Sequence, residues 1–386
     1  MKQAVLWAAL LAFGCAAPSS VRPPIAPTPP AIAPVDQGPG SAPAIAARTE
    51  RPIVLIAGGD VTLGYHFQEY FDEQVAKGRS REAMFGYAFR EVQPAVHGTD
   101  LFVVNLECPF TERGEKIPKN FNFRARPELV SALLAGGVGA VSLANNHLMD
   151  YGPLGVIDTL ETLDRAGVPH FGAGRTLAEA RQPAIVERQG VRIALLGYFF
   201  LGGNNIEPPE LIATAEKPGV AGHYSSVEVL EAMLREDIAL AKLKADLVIP
   251  FFHWGREGSH LPESYQVRLG HAAIDAGAAA VLGSHPHVLQ GIELYLGQPI
   301  VYSLGNFVFG GNWNPKNKEG ALFKASFSPA GYLASEIIAL KIDRYPDFPM
   351  QPIVVHDEPA TAVIDRLAEY SRGFPQPLPQ LPAGRP

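Results

Sequence analysis

The chain has 386 residues, of which 47% are hydrophobic and 18% charged, and it carries a formal charge of −7. That length suits one large domain or two small ones, and the apolar content is that of a globular protein. There is no basic excess to form an electrostatic footprint for nucleic acid, so that class of partner is excluded.

The fold is expected to begin near residue 50. Lys2 followed by the short apolar run 4–13 has the make-up of a secretory signal and is too short to remain as a spanning helix. The order Leu11-Ala12-Phe13-Gly14-Cys15 resembles a bacterial lipoprotein signal, although Ala12 stands where leucine is usual. Residues 1–15 are therefore read as a signal with Cys15 as the lipidation site. A plain secretory signal cleaved after Ala16 or Ala17 is the alternative. Residues 16–49, rich in Pro, Ala and Ser, read as a disordered tether. One catalytic domain is expected over 50–365, with a Pro-rich tail over 366–386. Besides Cys15 the chain has only Cys108, so no internal disulfide framework is expected, and Cys108 reads as a packed thiol.

The first strand is expected at 52–57, running into Gly58-Gly59-Asp60, where a carboxylate follows glycines at a strand end. Asp60 could equally cap the following turn. A helical stretch over 68–96 precedes a second strand at 101–104, which runs into Asn105-Leu106-Glu107. Alternation puts Asn105 and Glu107 on one face, and two polar groups on a buried face need partners. Arg124 and Arg126 are candidates for holding an anion, since guanidinium pairs with carboxylate or phosphate through two bonds; surface solvation is the commoner fate of an arginine. After a helix from Pro127 to Leu134, a third strand at 140–144 ends in Asn145-Asn146-His147-Leu-Met-Asp150, the densest polar cluster in the chain. An amide oxygen can ligate a hard cation, and a histidine beside it can act as general acid.

A helix over 154–166 and a hairpin turning at Gln189-Gly190 follow, then a loop over 202–222 that reads as a lid or rim. The helix at 227–243 has apolar residues at 3–4 spacing and suits an outer layer. A strand at 247–252 ends in His253-Trp254-Gly255-Arg256-Glu257, and a strand at 279–282 leads to Gly283-Ser-His285-Pro-His287. Pro286 biases His285 towards extended backbone, in which residues two apart point to the same side. A last run at 300–304 ends in Gly305-Asn306, and the alternating segments over 321–356 read as antiparallel strands completing the sheet.

Five strands thus end in Asp60, Asn105/Glu107, Asn146/His147, His253 and His285/His287. Capping and solvated loops explain one such coincidence, but not five at the strand ends where open α/β sheets bind ligands. The ligand set mixes N and O without thiolate, which suits one or two divalent ions such as Mn, Fe or Zn. Two ions about 4 Å apart, bridged by a carboxylate, are the usual arrangement for metal-assisted hydrolysis.

In order, G-G-D-V-T-L-G, N-L-E-C-P-F, F-R-A-R-P-E, S-L-A-N-N-H-L-M-D-Y-G, H-W-G-R-E, G-S-H-P-H-V and S-L-G-N-F-V-F resemble the bacterial capsule-synthesis CapA (PgsA-like) family. That family is tied to poly-γ-glutamate production and belongs to the calcineurin-like metallophosphoesterase superfamily. The resemblance covers roughly residues 52–310 and implies an α/β fold, a four-layer α-β-β-α sandwich with the site at the strand ends. It implies Asp60, Glu107, Asn146, His253, His285 and His287 as metal ligands, with Glu107 bridging and His147 as the catalytic histidine. Asn105, Arg124, Asp150, Glu257 and Asn306 are the candidate substrate contacts around them. Thr62 stands where the superfamily normally has a histidine ligand, which leaves the first metal one ligand short.

The function so implied is an envelope hydrolase, metal-dependent and lipid-anchored, that acts on an anionic polymer or small anionic substrate through a phosphoester or amide bond. The alternative is a non-catalytic accessory subunit of a membrane polymer synthase or export complex. A binding module for anionic ligands is a third reading, but it does not need so many imidazoles.

Overall fold

The computed structural model describes residues 51–312, 314–342, 346–347 and 349–378. The expected signal, tether, Cys15 and the end of the expected tail lie outside the described residues.

The layering follows from alternation along two central strands, because successive side chains of a strand face opposite ways; in the first strand an irregularity between Ala57 and Asp60 interrupts it. In Ile53–Thr62, Ile53, Leu55 and Ala57 face one apolar core while Ile56 and Val61 face another. In Val191–Phe200, Val191, Ile193 and Leu195 enter the core shared with Ile53 and Leu55, while Ala194, Leu196, Tyr198 and Phe200 enter a third. The middle core is therefore clamped between two sheets. The first core lies between one sheet and the helices His66–Ala76 and Gly152–Ala166; the third lies between the other sheet and the helices Val227–Lys242 and Ser264–Asp275. This is the four-layer α-β-β-α sandwich.

The first sheet has eight strands among the described residues, with Ile53–Thr62 near its centre. That strand pairs in parallel with Leu101–Leu106 and Asn306–Phe309, and antiparallel with Glu319–Ser328. The long antiparallel strands Glu319–Ser328 and Gly331–Lys341 extend the sheet, as their alternating pattern predicts. The second sheet has four strands, ordered Leu282–Ser284, Leu247–Trp254, Val191–Phe200 and Ala184–Arg188. Its edge is the expected hairpin, with Gln189 and Gly190 both at positive φ (53° and 74°), as a two-residue primed turn requires.

Some boundaries differ from the sequence-based expectation. The strand expected at 279–282 is Leu282–Ser284, because Val281 instead bridges Ile300. The strand expected at 300–304 is two: Gln298–Val301 in a small hairpin and Asn306–Phe309 in the first sheet. The expected domain end at 365 falls inside the helix Asp357–Ser371, whose Val363 and Leu367 enter the inter-sheet core. Beyond it, Leu378 N donates to Ile292 O (3.2 Å) and Leu294 N to Gln376 O (2.8 Å), so the tail packs on the body at least to Leu378. Spacing of four between two apolar side chains in a Pro-flanked stretch is too weak a signal to outweigh composition. Cys108 is buried, and burial pushes its thiol up to about 12, as expected of a packed cysteine. No helix among the described residues is long and apolar enough to cross a membrane.

Candidate metal centre

The sheet registers bring the polar residues into rows. Asn306, Asp60, Asn105 and Ser142 are successive partners across the first sheet; Ser284, His253 and Phe199 are so across the second. Two glycines let these rows close on their neighbours. A Cβ on Gly59 would stand 1.9 Å from Gly305 O, and one on Gly283 would stand 2.3 Å from Tyr302 O. Asp60 N instead donates to Gly305 O at 3.1 Å, and a register shift between Ala57 and Asp60 turns the carboxylate into the site.

Two groups of ligand-capable side chains result, Glu107/His253/His285 and Asp60/Glu107/His287, with one ligand atom from each residue within 4.8 Å of the others in its group. Glu107 belongs to both. Around the first group, His253 Nε2 lies 2.9 Å from His285 Nδ1, 2.8 Å from Asn146 Oδ1 and 3.5 Å from Glu107 Oε1. In the second, His287 Nδ1 lies 3.4 Å from Asp60 Oδ2 and 2.8 Å from Asn306 Oδ1. Thr62 is buried and gives its hydroxyl to Glu107 O at 3.3 Å, so it holds backbone and adds no ligand.

The residues fit a metal. Both carboxylate oxygens of Glu107 are fully buried without a hydrogen-bond partner, an arrangement that costs free energy unless a cation completes it. Burial, reinforced by the Asp60 charge, pushes Glu107 well above the usual carboxylate range. Burial likewise pushes His253 and His285 well below the usual imidazole range, so both present neutral ring nitrogens. Burial also opposes charge on His287, but the Glu107 and Asp60 carboxylates outweigh it and raise the ring to about 10.

The H-P-H segment departs from its expected geometry. His285 and His287 have φ of 98° and 58°, in the left-handed region rather than extended. Such backbone costs on the order of 1–3 kcal/mol per residue and persists only where surroundings over-determine it. Here His285 N donates to Asp60 Oδ2 (3.3 Å), and Gly258 N donates to Pro286 O (2.8 Å). Tertiary contacts at His285 and Pro286 therefore override the local bias set by Pro286.

His147 stands beside the metal-capable groups. Its Nδ1 lies 2.7 Å from Asp150 Oδ2, its backbone N–H is held by Asn145 Oδ1 at 3.1 Å, and its ring packs on Phe123 at 4.2 Å between centroids. Burial lowers its pKa although Asp150 opposes the shift. Asp150 thus orients His147 and also accepts from Phe123 N (2.6 Å). Asn105 is equally committed: its Nδ2 donates to Asp60 Oδ1 (2.8 Å) and its Oδ1 accepts from Asn145 Nδ2 (3.1 Å).

The remaining candidates separate. Asn306 holds His287, whereas Glu257 is exposed and lines, with Arg256, Glu207, Tyr265 and His285, a cavity of about 280 Å³ at the mouth of the site. Arg124 lies over the Tyr151 ring (4.2 Å) and lines a cavity with Gln68, Thr111, Glu112 and Arg126. Arg126 is taken up by Asp72 (2.6 Å) and Glu128 (2.8 Å), so it is not available to an anion. A larger cavity of about 770 Å³, lined by His97 and His356 among others, contains none of the candidate residues. Sequence reasoning missed Lys119, whose Nζ lies 3.0 Å from Asp150 Oδ1 and 2.9 Å from Glu207 Oε2, and Glu207 itself. Only the rim-like composition of the 202–222 loop pointed towards Glu207.

Residues 54–311 match the family described as bacterial capsule synthesis protein PGA_cap. The chain is 32% identical over 301 residues to the capsule biosynthesis protein CapA of Bacillus anthracis, covering 76% of this chain and 69% of the relative. It is 32% identical over 287 residues to the PGA biosynthesis protein CapA of Bacillus subtilis, covering 74% and 70%. A Mycobacterium tuberculosis protein named "Probable polyglutamine synthesis accessory protein" is 31% identical, covering 64% of this chain and 67% of its own. A crystal structure of a Thermus thermophilus protein overlaps 70% of this chain and 93% of its own, with a TM-score of 0.37 and 13% identity.

Proposed function

The chain belongs to the bacterial capsule synthesis protein family, and from that premise we propose that it acts in the cell envelope as a metal-dependent hydrolase. Its work would be the synthesis, release or processing of an anionic capsule polymer such as poly-γ-glutamate. The observation that carries this reading is Glu107, a buried carboxylate shared by two ligand groups with both oxygens unpartnered.

Asp60, Glu107, Asn146, His253, His285 and His287 would hold one or two divalent ions, which would supply Lewis acidity to a phosphoryl or carbonyl oxygen. Asp150 fixes the His147 ring through Nδ1, which leaves Nε2 to exchange a proton with the leaving group. Burial favours the neutral ring, so the proton-donating form of His147 grows as pH falls. The low exposure of Asp60, Glu107 and His253 keeps bulk water from these groups. Export through the N-terminal signal and anchoring at Cys15 complete the proposal; a Cys15→Ser chain found in the soluble fraction would support the anchor, and one still in membranes would count against it.

The test is metal content by plasma mass spectrometry, wild type against His285→Ala/His287→Ala, followed by hydrolysis assays on a phosphoester and a γ-glutamyl amide. About two ions per chain, lost in the double variant, with turnover of either bond lost in His147→Ala, would support the hydrolase. A metal-loaded protein inert towards both bonds would count against it. Thr62 favours a second reading, an accessory subunit of a membrane synthase that keeps the fold and one metal. In that case capsule polymer yield would survive His147→Ala, and the synthase would co-purify with the chain.

A further inference from the structure

Lys119 and Glu207 meet at Asn146, beside the centre. Lys119 lies in the irregular segment between Phe110 and Ala125, and its side chain is only 9% exposed. Its Nζ is 2.8 Å from Asn146 O, 3.0 Å from Asp150 Oδ1 and 2.9 Å from Glu207 Oε2. The other oxygen of Glu207 accepts from Asn146 Nδ2 at 2.9 Å, across 61 residues of chain. The Asn146 amide is thereby oriented, with its oxygen on His253 and its NH₂ on Glu207.

The two sides are held unequally. The Lys119 segment is tied to the body: Ile117 N donates to Asp150 O (3.1 Å), and Asn122 Nδ2 donates to both Ile117 O (3.2 Å) and Asp150 O (3.3 Å). Glu207 is held more locally: its N–H donates to Asn205 Oδ1 (3.0 Å), Asn205 Nδ2 donates to Tyr224 O (3.2 Å), and the adjoining Ile206 is 86% exposed. Beside Glu207 the cavity of about 280 Å³ offers room for the carboxylate to swing aside. Lys119 and Asn146 are thus a fixed cradle of a cation and an amide donor. The side-chain carboxylate of Glu207 occupies that cradle.

We propose that Lys119 Nζ and Asn146 Nδ2 form a carboxylate subsite for the substrate, and that Glu207 is an internal plug that a substrate carboxylate displaces. The inference rests on the reading of the centre as a hydrolase site and names its substrate class: a chain bearing free carboxylates near the bond that reacts. Ammonium and amide donors recognise a carboxylate by charge-assisted hydrogen bonds, and the glutamate side chain already seated there has the chemistry of the ligand it excludes. Asp150 stays with Lys119 when Glu207 leaves, so the ammonium is never left buried alone.

The experiment is calorimetric titration of the purified full chain with γ-linked tetraglutamate, glutarate and inorganic phosphate, with metal content read on the same samples. A plug seated about nine-tenths of the time lowers apparent affinity about tenfold, so Glu207→Ala is expected to tighten tetraglutamate and glutarate by roughly that factor. Lys119→Met in the Glu207→Ala background should remove the gain, and phosphate should gain less. Glu207→Gln keeps the Asn146 contact and should move affinity in the same direction by less, which retains a readout if Glu207→Ala folds poorly. Unchanged or weaker carboxylate binding in both Glu207 variants would overturn the proposal. So would a gain that survives Lys119→Met, or a phosphate gain as large as that of glutarate. Because binding is read without turnover, a protein that carries no metal would count against the hydrolase reading alone, and an absent plug effect against the subsite alone.

Discussion

The two halves of the centre share Glu107 but are prepared differently. The half with His253 and His285 has neutral rings, with His253 Nε2 close to both Asn146 Oδ1 and His285 Nδ1, so no imidazolium proton has to leave before a cation binds. The half with Asp60 and His287 holds an internal ion pair, and the ring must lose its proton before it can ligate. It also has Thr62, whose hydroxyl holds Glu107 O, where the sequence resemblance implies a further histidine. Both halves share the raised carboxyl of Glu107, but only the Asp60 half adds an imidazole that holds its proton. Similar residues in similar burial therefore need not make equal sites; the sign of the nearest charge decides.

Glu107→Gln breaks the comparison most severely, because it removes the bridge. Metal content by mass spectrometry should fall to near zero in both halves, while the melting temperature of the chelator-treated protein holds or rises, since a buried ionisable carboxyl is replaced by a neutral amide. Next in size, His285→Ala should lose more metal than His287→Ala at any limiting concentration in equilibrium dialysis; the reverse order would invert the assignment of the stronger half.

The pH dependence separates the halves further. His287 is raised, so below about its pKa the ring is protonated and binding expels that proton; affinity for the Asp60 half should then climb up to about tenfold per pH unit between 7 and 9. The His253 and His285 rings are depressed and already neutral there, and they should add no slope of their own. Calorimetry in buffers of different ionisation enthalpy counts the protons, and equal counts at both halves would defeat the comparison. The smallest effect is expected of Thr62→His, which should raise occupancy of the weaker half several-fold, at a stability loss of about 1–3 kcal/mol for overpacking a buried position. Paired metal titration and thermal denaturation would show both.

Much of the site was legible because its residues follow apolar strands in a repeating βα order, and a strand end has one place to point. Asp60, Glu107 and His253 were singled out together by their places at the ends of apolar strands, and His285 by following one, although its expected extended geometry is not realised. Lys119 and Glu207 left no comparable mark: each lies in irregular chain, and their meeting depends on two loops folding over one strand end. Asn105, Asp150 and Asn306 were visible as polar residues near the site, yet their work of holding Asp60, His147 and His287 appears only in three dimensions.

The sequence by itself determined the layered α/β fold, the strand-end placement of the polar residues and the family, since alternation and motif order are local properties of the chain. Only the tertiary structure decided the positive φ of His285 and His287, the division of the ligand-capable residues into two overlapping groups and the opposite shifts in proton affinity of their rings. Those depend on which charges and hydrogen-bond partners distant segments bring within a few ångströms, and no local pattern carries that information.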